Sequence, residues 1–189
     1  MRCAIWTNAG ATTDNAAITS ERSAAANAAA THVDVHEAGP AEIVAAGHLV
    51  LTGLAEHWGS VDASLNHDLA NLAAAYPTGR TLVAVDHVGR VVGTGTVVPR
   101  DDHDVEVVRM AVVAELRGTG VGRRILDALI DIAAGWGAQR VVLETTAAWT
   151  ATVAFYERCG FRVTRYVDGD FGRDAWFERR LRGPDVGEA

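Results

Sequence analysis

Cysteine is scarce: Cys3 and Cys159 are all the thiol this 189-residue sequence offers. Neither belongs to a metal-ligand spacing or a disulfide framework, which suggests a reducing, cytoplasmic setting. Long hydrophobic runs are missing as well. None approaches the roughly 20 residues that a bilayer span needs, and no apolar stretch follows Arg2 as a secretory leader would require, so neither a membrane span nor a signal peptide is expected. There is no excess of positive charge. A formal net charge of -7 argues against a nucleic-acid binder, whose surface must neutralise phosphates. Internal repeats are absent. Large apolar side chains are nearly absent from the first thirty residues, so 1–31 reads as a flexible Ala/Thr/Asn-rich extension, and 183–189 as a flexible tail. What remains, 32–182, is one domain long enough for a sizeable core.

Within that domain the hydrophobic period alternates between the strand and helix values. A half-exposed strand is expected over His32 to His36, then a helix opened by Pro40 and running to Trp58. A second helix is expected from Asp62 to Ala75, stopping before Pro77. Strands at Thr81 to Asp86 and Val91 to Val98 flank the turn "HVGR", and a third covers Asp104 to Val113. The helix that follows places Val121, Ile125, Ala128, Leu129, Ile132 and Trp136 on one stripe, with Gly137 as its C-terminal cap. "RVVLETT" (140–146) is a buried strand and "TATVAFYERCG" a short helix. Strands near Phe161 to Tyr166 and Asp174 to Leu181 close the domain. This order predicts an α/β fold: a mixed, mostly antiparallel sheet of about seven strands flanked by about four helices.

One stretch breaks local rules. "ELRGTGVGRRI" (115–125) crowds glycines and arginines at a helix start, although glycine is a poor helix former and cations oppose the positive end of the helix dipole. An anion at that position removes the conflict. Gly118, Gly120 and Gly122 let backbone N–H groups approach it, while Arg117, Arg123 and Arg124 neutralise it. The Gly-Lys-Ser/Thr ending of a nucleoside triphosphate loop is lacking, and so is the full dinucleotide fingerprint.

These residues resemble the GNAT superfamily of acyl-CoA-dependent N-acyltransferases, whose loop signature Gln/Arg-x-x-Gly-x-Gly/Ala is met by Arg117, Gly120 and Gly122. The resemblance extends to the preceding strand "EVVRMAVV", the strand "VVLETT" and "FYERCGF". It implies acetyl-CoA or a related acyl-CoA as donor, with its pyrophosphate on the N–H groups of Gly118, Thr119, Gly120, Val121, Gly122 and Arg123. It also implies that Met110 and Val112 pair their backbone with the pantetheine arm, that Tyr156 is the catalytic tyrosine, and that Glu106 stands at a glutamate used by some members. No metal is implied. An Asn common in the family, seven residues before the tyrosine, is replaced by Trp149.

Acyl transfer to an amine needs a base for the ammonium, since a typical alkyl ammonium has a pKa of roughly 10. It also needs a proton for the departing thiolate. Glu106 suits the first task and Tyr156 the second, while strand N–H groups near Val112 would polarise the thioester carbonyl. Each residue has a plainer reading, as a solvated strand glutamate and a core tyrosine. His32, Asp34 and His36 share a strand face that reads as wet surface rather than a metal site. The acceptor, a small-molecule or protein amine, is expected at Glu56, His57, Trp58, Asp62, Asn66 and Asp68 and at Asp168, Asp170 and Arg173. A catalytically inactive CoA-binding module is the competing function, and the sequence leaves open whether the protein is a homodimer.

Overall fold

The computed structural model describes residues 26, 32–59, 61, 66–169 and 172–181. The expected extension and tail lie outside the described residues, except for Ala26, which packs against the main core. Seven strands form one sheet in the order β1-β2-β3-β4-β5-β7-β6. They are β1 (Asp34–Glu37), β2 (Arg80–Val85), β3 (Val91–Pro99), β4 (Asp104–Val112), β5 (Arg140–Thr146), β6 (Arg162–Gly169) and β7 (Gly172–Arg180). Every neighbouring pair is antiparallel except β4 and β5, which run parallel. A parallel pair needs a crossover, and helix α3 (Val121–Gly135) supplies it.

The first helix, α1 (Pro40–Trp58), starts where expected. Glu42 reaches back to accept the Gly39 N–H at 2.7 Å, satisfying one of the donors a helix start leaves over. Ile43, Ala46, Gly47 and Val50 form its buried face. Gly47 is needed there for close approach: a Cβ at this position would meet the Leu69 carbonyl oxygen at 1.9 Å.

The second helix differs from expectation. In place of one helix to Ala75 there is a 3-10 turn over His67–Ala70, then the single-turn α2 (Leu72–Ala75). Asn71 separates them in an extended conformation, and its side chain accepts the Ala74 N–H at 3.1 Å. Asparagine competes for backbone hydrogen bonds in this way, so it starts a new turn rather than extending the old one. Residues 62–65 lie outside the described set.

Apolar residues form two clusters. In the larger, Ile125, Leu126 and Leu129 of α3 lie fully buried against Val97, Val141, Leu143 and Phe177. Each such side chain contributes roughly 1.5–3 kcal/mol. The smaller cluster joins α1 to Leu69, Leu72 and Val83. The expected stripe of α3 is displaced at its end: Trp136 is 39% exposed. The helix stops at Gly135 and Gly137 turns the chain with φ +78°, so Trp136 falls beyond the helical period.

Ala151, Phe155 and Cys159, spaced four apart, are expected to form the packing stripe of the last helix, α4 (Thr150–Arg158), yet within the helix it is Tyr156 that is buried, with Cys159 buried just beyond it. Tyr156 packs among Phe155, Phe161 and Phe177, whereas Phe155 is only partly buried.

Candidate active site

The sheet is forked. Pairing between β4 and β5 covers only Asp104↔Arg140, Val105↔Val141 and Glu106↔Val142. Beyond it, Val107 to Val112 remains on β3 while Leu143 to Thr146 stays on β7. A bulge bends β4 within the fork. The register steps from Thr94↔Ala111 to Thr96↔Val108, setting Arg109 and Met110 opposite Gly95 alone. Bulges of this kind re-aim side chains. Here Arg109 adopts φ +55°, the left-handed region that a non-glycine residue rarely enters. Asp68 grips it with two hydrogen bonds of 2.7 and 2.8 Å, and Asn66 adds one at 3.2 Å. Tyr76 donates to the same Asp68 at 2.8 Å.

The fork opens into a cavity of about 770 Å³. Its walls include the fork strands, the turn before α3, the start of α4 and the inner face of α1. At the turn, Gly118 and Gly120 take φ of +78° and +96°, and Gly120 caps α3 from the left-handed region. The first bond of the helix runs from the Arg124 N–H to the Gly120 carbonyl. Consequently the N–H groups of Gly118, Gly120, Val121, Gly122 and Arg123 have no acceptor among the described residues. A Cβ on Gly118 or Gly120 would meet nothing within 4 Å, and both glycines line the cavity.

Of the residues singled out from sequence, Met110, Val112, Arg117, Gly118, Gly120, Gly122, Arg123 and Tyr156 all line this cavity. Val121 turns its side chain into the core, 1% exposed. The Thr119 hydroxyl donates to the Leu116 carbonyl at 2.7 Å. The arginines have partners of their own: Arg117 bonds the Val112 carbonyl at 2.9 Å and pairs with Glu56, and Arg123 pairs with Asp127 at 2.7 Å. Arg124 donates to the Val33 carbonyl at 2.7 Å and is not among the cavity residues.

Glu106 occupies the last β4–β5 pair, at the root of the fork, and is not in the cavity wall. Arg100 stands 3.3 Å from it. Burial pushes its carboxyl above the ordinary glutamate range, with Arg100 opposing. Burial also raises the Tyr156 phenol, which therefore stays protonated well beyond neutral pH.

The loops expected to hold the acceptor are only partly drawn together. His57 stacks on Trp149 with ring centroids 4.2 Å apart, and both line the cavity. Trp58 tilts against the same indole. Thus the residue standing where the family often has Asn closes the cavity against the end of α1. Asn66 and Asp68 reach the fork through Arg109. Asp168 pairs with Arg173 at 3.7 Å on the exposed hairpin of β6 and β7, outside the cavity wall. Asp62 and Asp170 are outside the described residues. Sequence reasoning missed Glu144 and Asp174, which do line the cavity, and the bulge at Arg109. The carboxylate of Glu144 directly after the apolar run Val141 to Leu143 is the available signal.

A mixed sheet forked between its parallel strands, with an unpaired glycine-rich helix start at the mouth of the fork, defines an acyltransferase architecture of the GNAT type. The acetyltransferase (GNAT) family model matches residues 51–161, and the chain belongs to that family. It is 32% identical over 84 residues to an uncharacterized N-acetyltransferase of Mycobacterium bovis, a match covering 44% of this chain and 54% of that protein. It therefore spans about half the length of that curated relative. The fold superimposes on a GNAT-family acetyltransferase of Staphylococcus aureus with a TM-score of 0.71 at 19% identity, covering 79% of this chain and 99% of that one. A GNAT acetyltransferase of Elizabethkingia anophelis, solved with acetyl-CoA bound, gives 0.61 at 18% identity, with coverage of 79% and 99%. No described helix is long and apolar enough to cross a membrane.

Proposed function

We propose that the protein transfers an acetyl or other short acyl group from acyl-CoA to an amine, by direct attack within a ternary complex. One observation carries this reading: the N–H groups of Gly118 and Gly120 to Arg123 have no acceptor among the described residues, and Gly118, Gly120, Gly122 and Arg123 line the forked cavity. A pyrophosphate suits such a site, because the N–H groups and the helix dipole both favour an anion. The arms of the fork favour the rest of the donor. The edge of β4 from Val107 to Ala111 is not paired with β5 and offers backbone groups for pantetheine amides, with Met110 and Val112 in the cavity wall.

The thioester carbon then lies deep in the fork, where a β4 N–H near Val112 stabilises the developing oxyanion. The amine nitrogen attacks that carbon, the C–N bond forms and the C–S bond breaks. Tyr156, protonated and in the cavity wall, donates to the departing sulfur. The ammonium loses its proton to a carboxylate at the fork, and Glu106 is the residue expected there from the sequence. The acceptor enters from the side walled by Arg109, Glu144 and Asp174, and its class is an amine, small or on a protein.

The test is release of free thiol from acetyl-CoA with a panel of amines, alongside acetyl-CoA binding. Turnover that depends on both substrates is expected. Acetyl-CoA binding without turnover of any amine would make the protein a CoA-binding module instead. Unchanged acetyl-CoA affinity in Gly120→Trp would remove the proposed cradle.

A further inference from the structure

We infer that Glu144, rather than Glu106, is the carboxylate that takes the proton from the acceptor amine. This deepens the transferase reading and rests on it. Glu144 sits on β5, on the arm of the fork opposite Val107 to Val112, and it lines the cavity. Glu106 does not line it. Glu106 lies where β4 and β5 are still joined, its side chain only 17% exposed and 3.3 Å from Arg100. An acceptor seated between the arms therefore meets Glu144 first. Direct proton transfer requires approach within roughly 2.6–3.2 Å, and the largely buried Glu106 carboxyl is already engaged by Arg100.

The surroundings of Glu144 suit a base that releases its proton again each cycle. Four groups act on it. Asp174 of β7 and Glu106 of β4 hold negative charge nearby and raise its carboxyl, after burial, the largest influence; Arg100 and Arg109 oppose them. A carboxylate that holds its proton more tightly is a stronger base than an ordinary glutamate. Asp174 pairs with Thr146 across the β5–β7 ladder and also lines the cavity. Glu106 thereby becomes a positioning residue whose charge tunes Glu144 through space.

The proton balance closes. An ammonium carries three N–H bonds and the amide product one, so two protons leave nitrogen. Glu144 takes the first before attack and passes it to solvent. The second is lost as the tetrahedral intermediate collapses, and it replaces the proton that Tyr156 has given to sulfur. No oxidant, metal or further reactant is required.

The experiment measures kcat and kcat/KM against pH for wild type, Glu144→Gln and Glu106→Gln, with acetyl-CoA and the amine panel, plus acetyl-CoA affinity for each. Glu144→Gln is expected to lose about 100-fold in kcat and the acid limb of the profile, with acetyl-CoA affinity retained. The deficit should shrink for hydroxylamine or an aniline, whose nitrogen is already neutral at assay pH, a rescue that a merely structural role would not produce. Glu106→Gln is expected to cost less and to shift the acid limb to lower pH, because a negative neighbour of Glu144 is gone. If Glu106→Gln loses the limb while Glu144→Gln keeps kcat within threefold, the inference is overturned and the transferase reading stands. If wild type acetylates no amine while binding acetyl-CoA, both fall together.

Discussion

The proposed donor and acceptor sides of the cavity are made from different materials. The donor side is one continuous stretch, Arg117 to Arg123, and it offers mainly backbone. The acceptor side is assembled from Arg109 on β4, Glu144 on β5 and Asp174 on β7, with Asp68 of a separate turn holding Arg109 from behind. Backbone groups recognise an invariant handle, and any side chain that leaves the turn intact preserves them. Side chains brought from separate strands recognise something particular, and single substitutions change them. The difference suits an enzyme with a constant donor and a specialised acceptor.

Substitutions should separate the two sides, and the largest effect falls between them. Tyr156→Phe is expected to lower kcat by about 100-fold or more, with KM for acetyl-CoA unchanged in steady-state assays. Equal loss of acetyl-CoA binding would mean that Tyr156 acts in packing, against Phe161 and Phe177, and not in proton donation. Next is the pH profile. A base works only when ionised, so kcat/KM falls as pH drops through its pKa, tenfold per unit at the limit. Burial raises both Glu106 and Glu144, so the acid limb belongs above the ordinary glutamate value of about 4.3.

A donor-side change comes third. Gly120→Val places a β-branched residue at φ +96°, a strain of about 1–3 kcal/mol, and puts methyl groups where the pyrophosphate would lie. Acetyl-CoA affinity is expected to fall about 30-fold in calorimetry while the acceptor KM barely moves. On the other side, Asp68→Asn leaves Arg109 without its carboxylate. It is expected to raise acceptor KM several-fold and to lower unfolding stability by about 2 kcal/mol, less than a wholly buried pair would cost. If acetyl-CoA affinity falls as well, the two sides are not independent. The smallest effect is Arg117→Ala. Its guanidinium is already committed to Glu56 and the Val112 carbonyl, so a loss of about threefold in acetyl-CoA affinity is expected, shrinking further with added salt.

The same contrast explains what could be read from the sequence. The strand from Arg140 to Thr146 and the start of α1 at Pro40 follow from hydrophobic period and proline placement, which are local signals. The glycine turn was legible for the same reason. Asn71 was not, because its side chain decides between continuing a turn and starting one only when Leu69 and Leu72 have a core to enter. On α4 the spacing suggested Phe155 as the packing residue. Tyr156 is buried instead because β7 brings Phe177 beneath it. Likewise the bulge at Arg109 depends on register against β3, and Glu144 meets Asp174 only once β7 has paired. None of these partners is near in sequence.

The strand order also bears on how the chain reaches its folded state. β7 lies between β5 and β6, so a β5 leaving the ribosome has its outer edge bare until α4, β6 and β7 have followed. During that interval "RVVLETT", with its apolar Val141, Val142 and Leu143, has unpaired N–H and carbonyl groups, the kind of edge on which nascent chains aggregate. Its Glu144 gives that edge a negative charge that discourages such contacts. A residue proposed to receive a proton in the finished protein thus also guards the unfinished one.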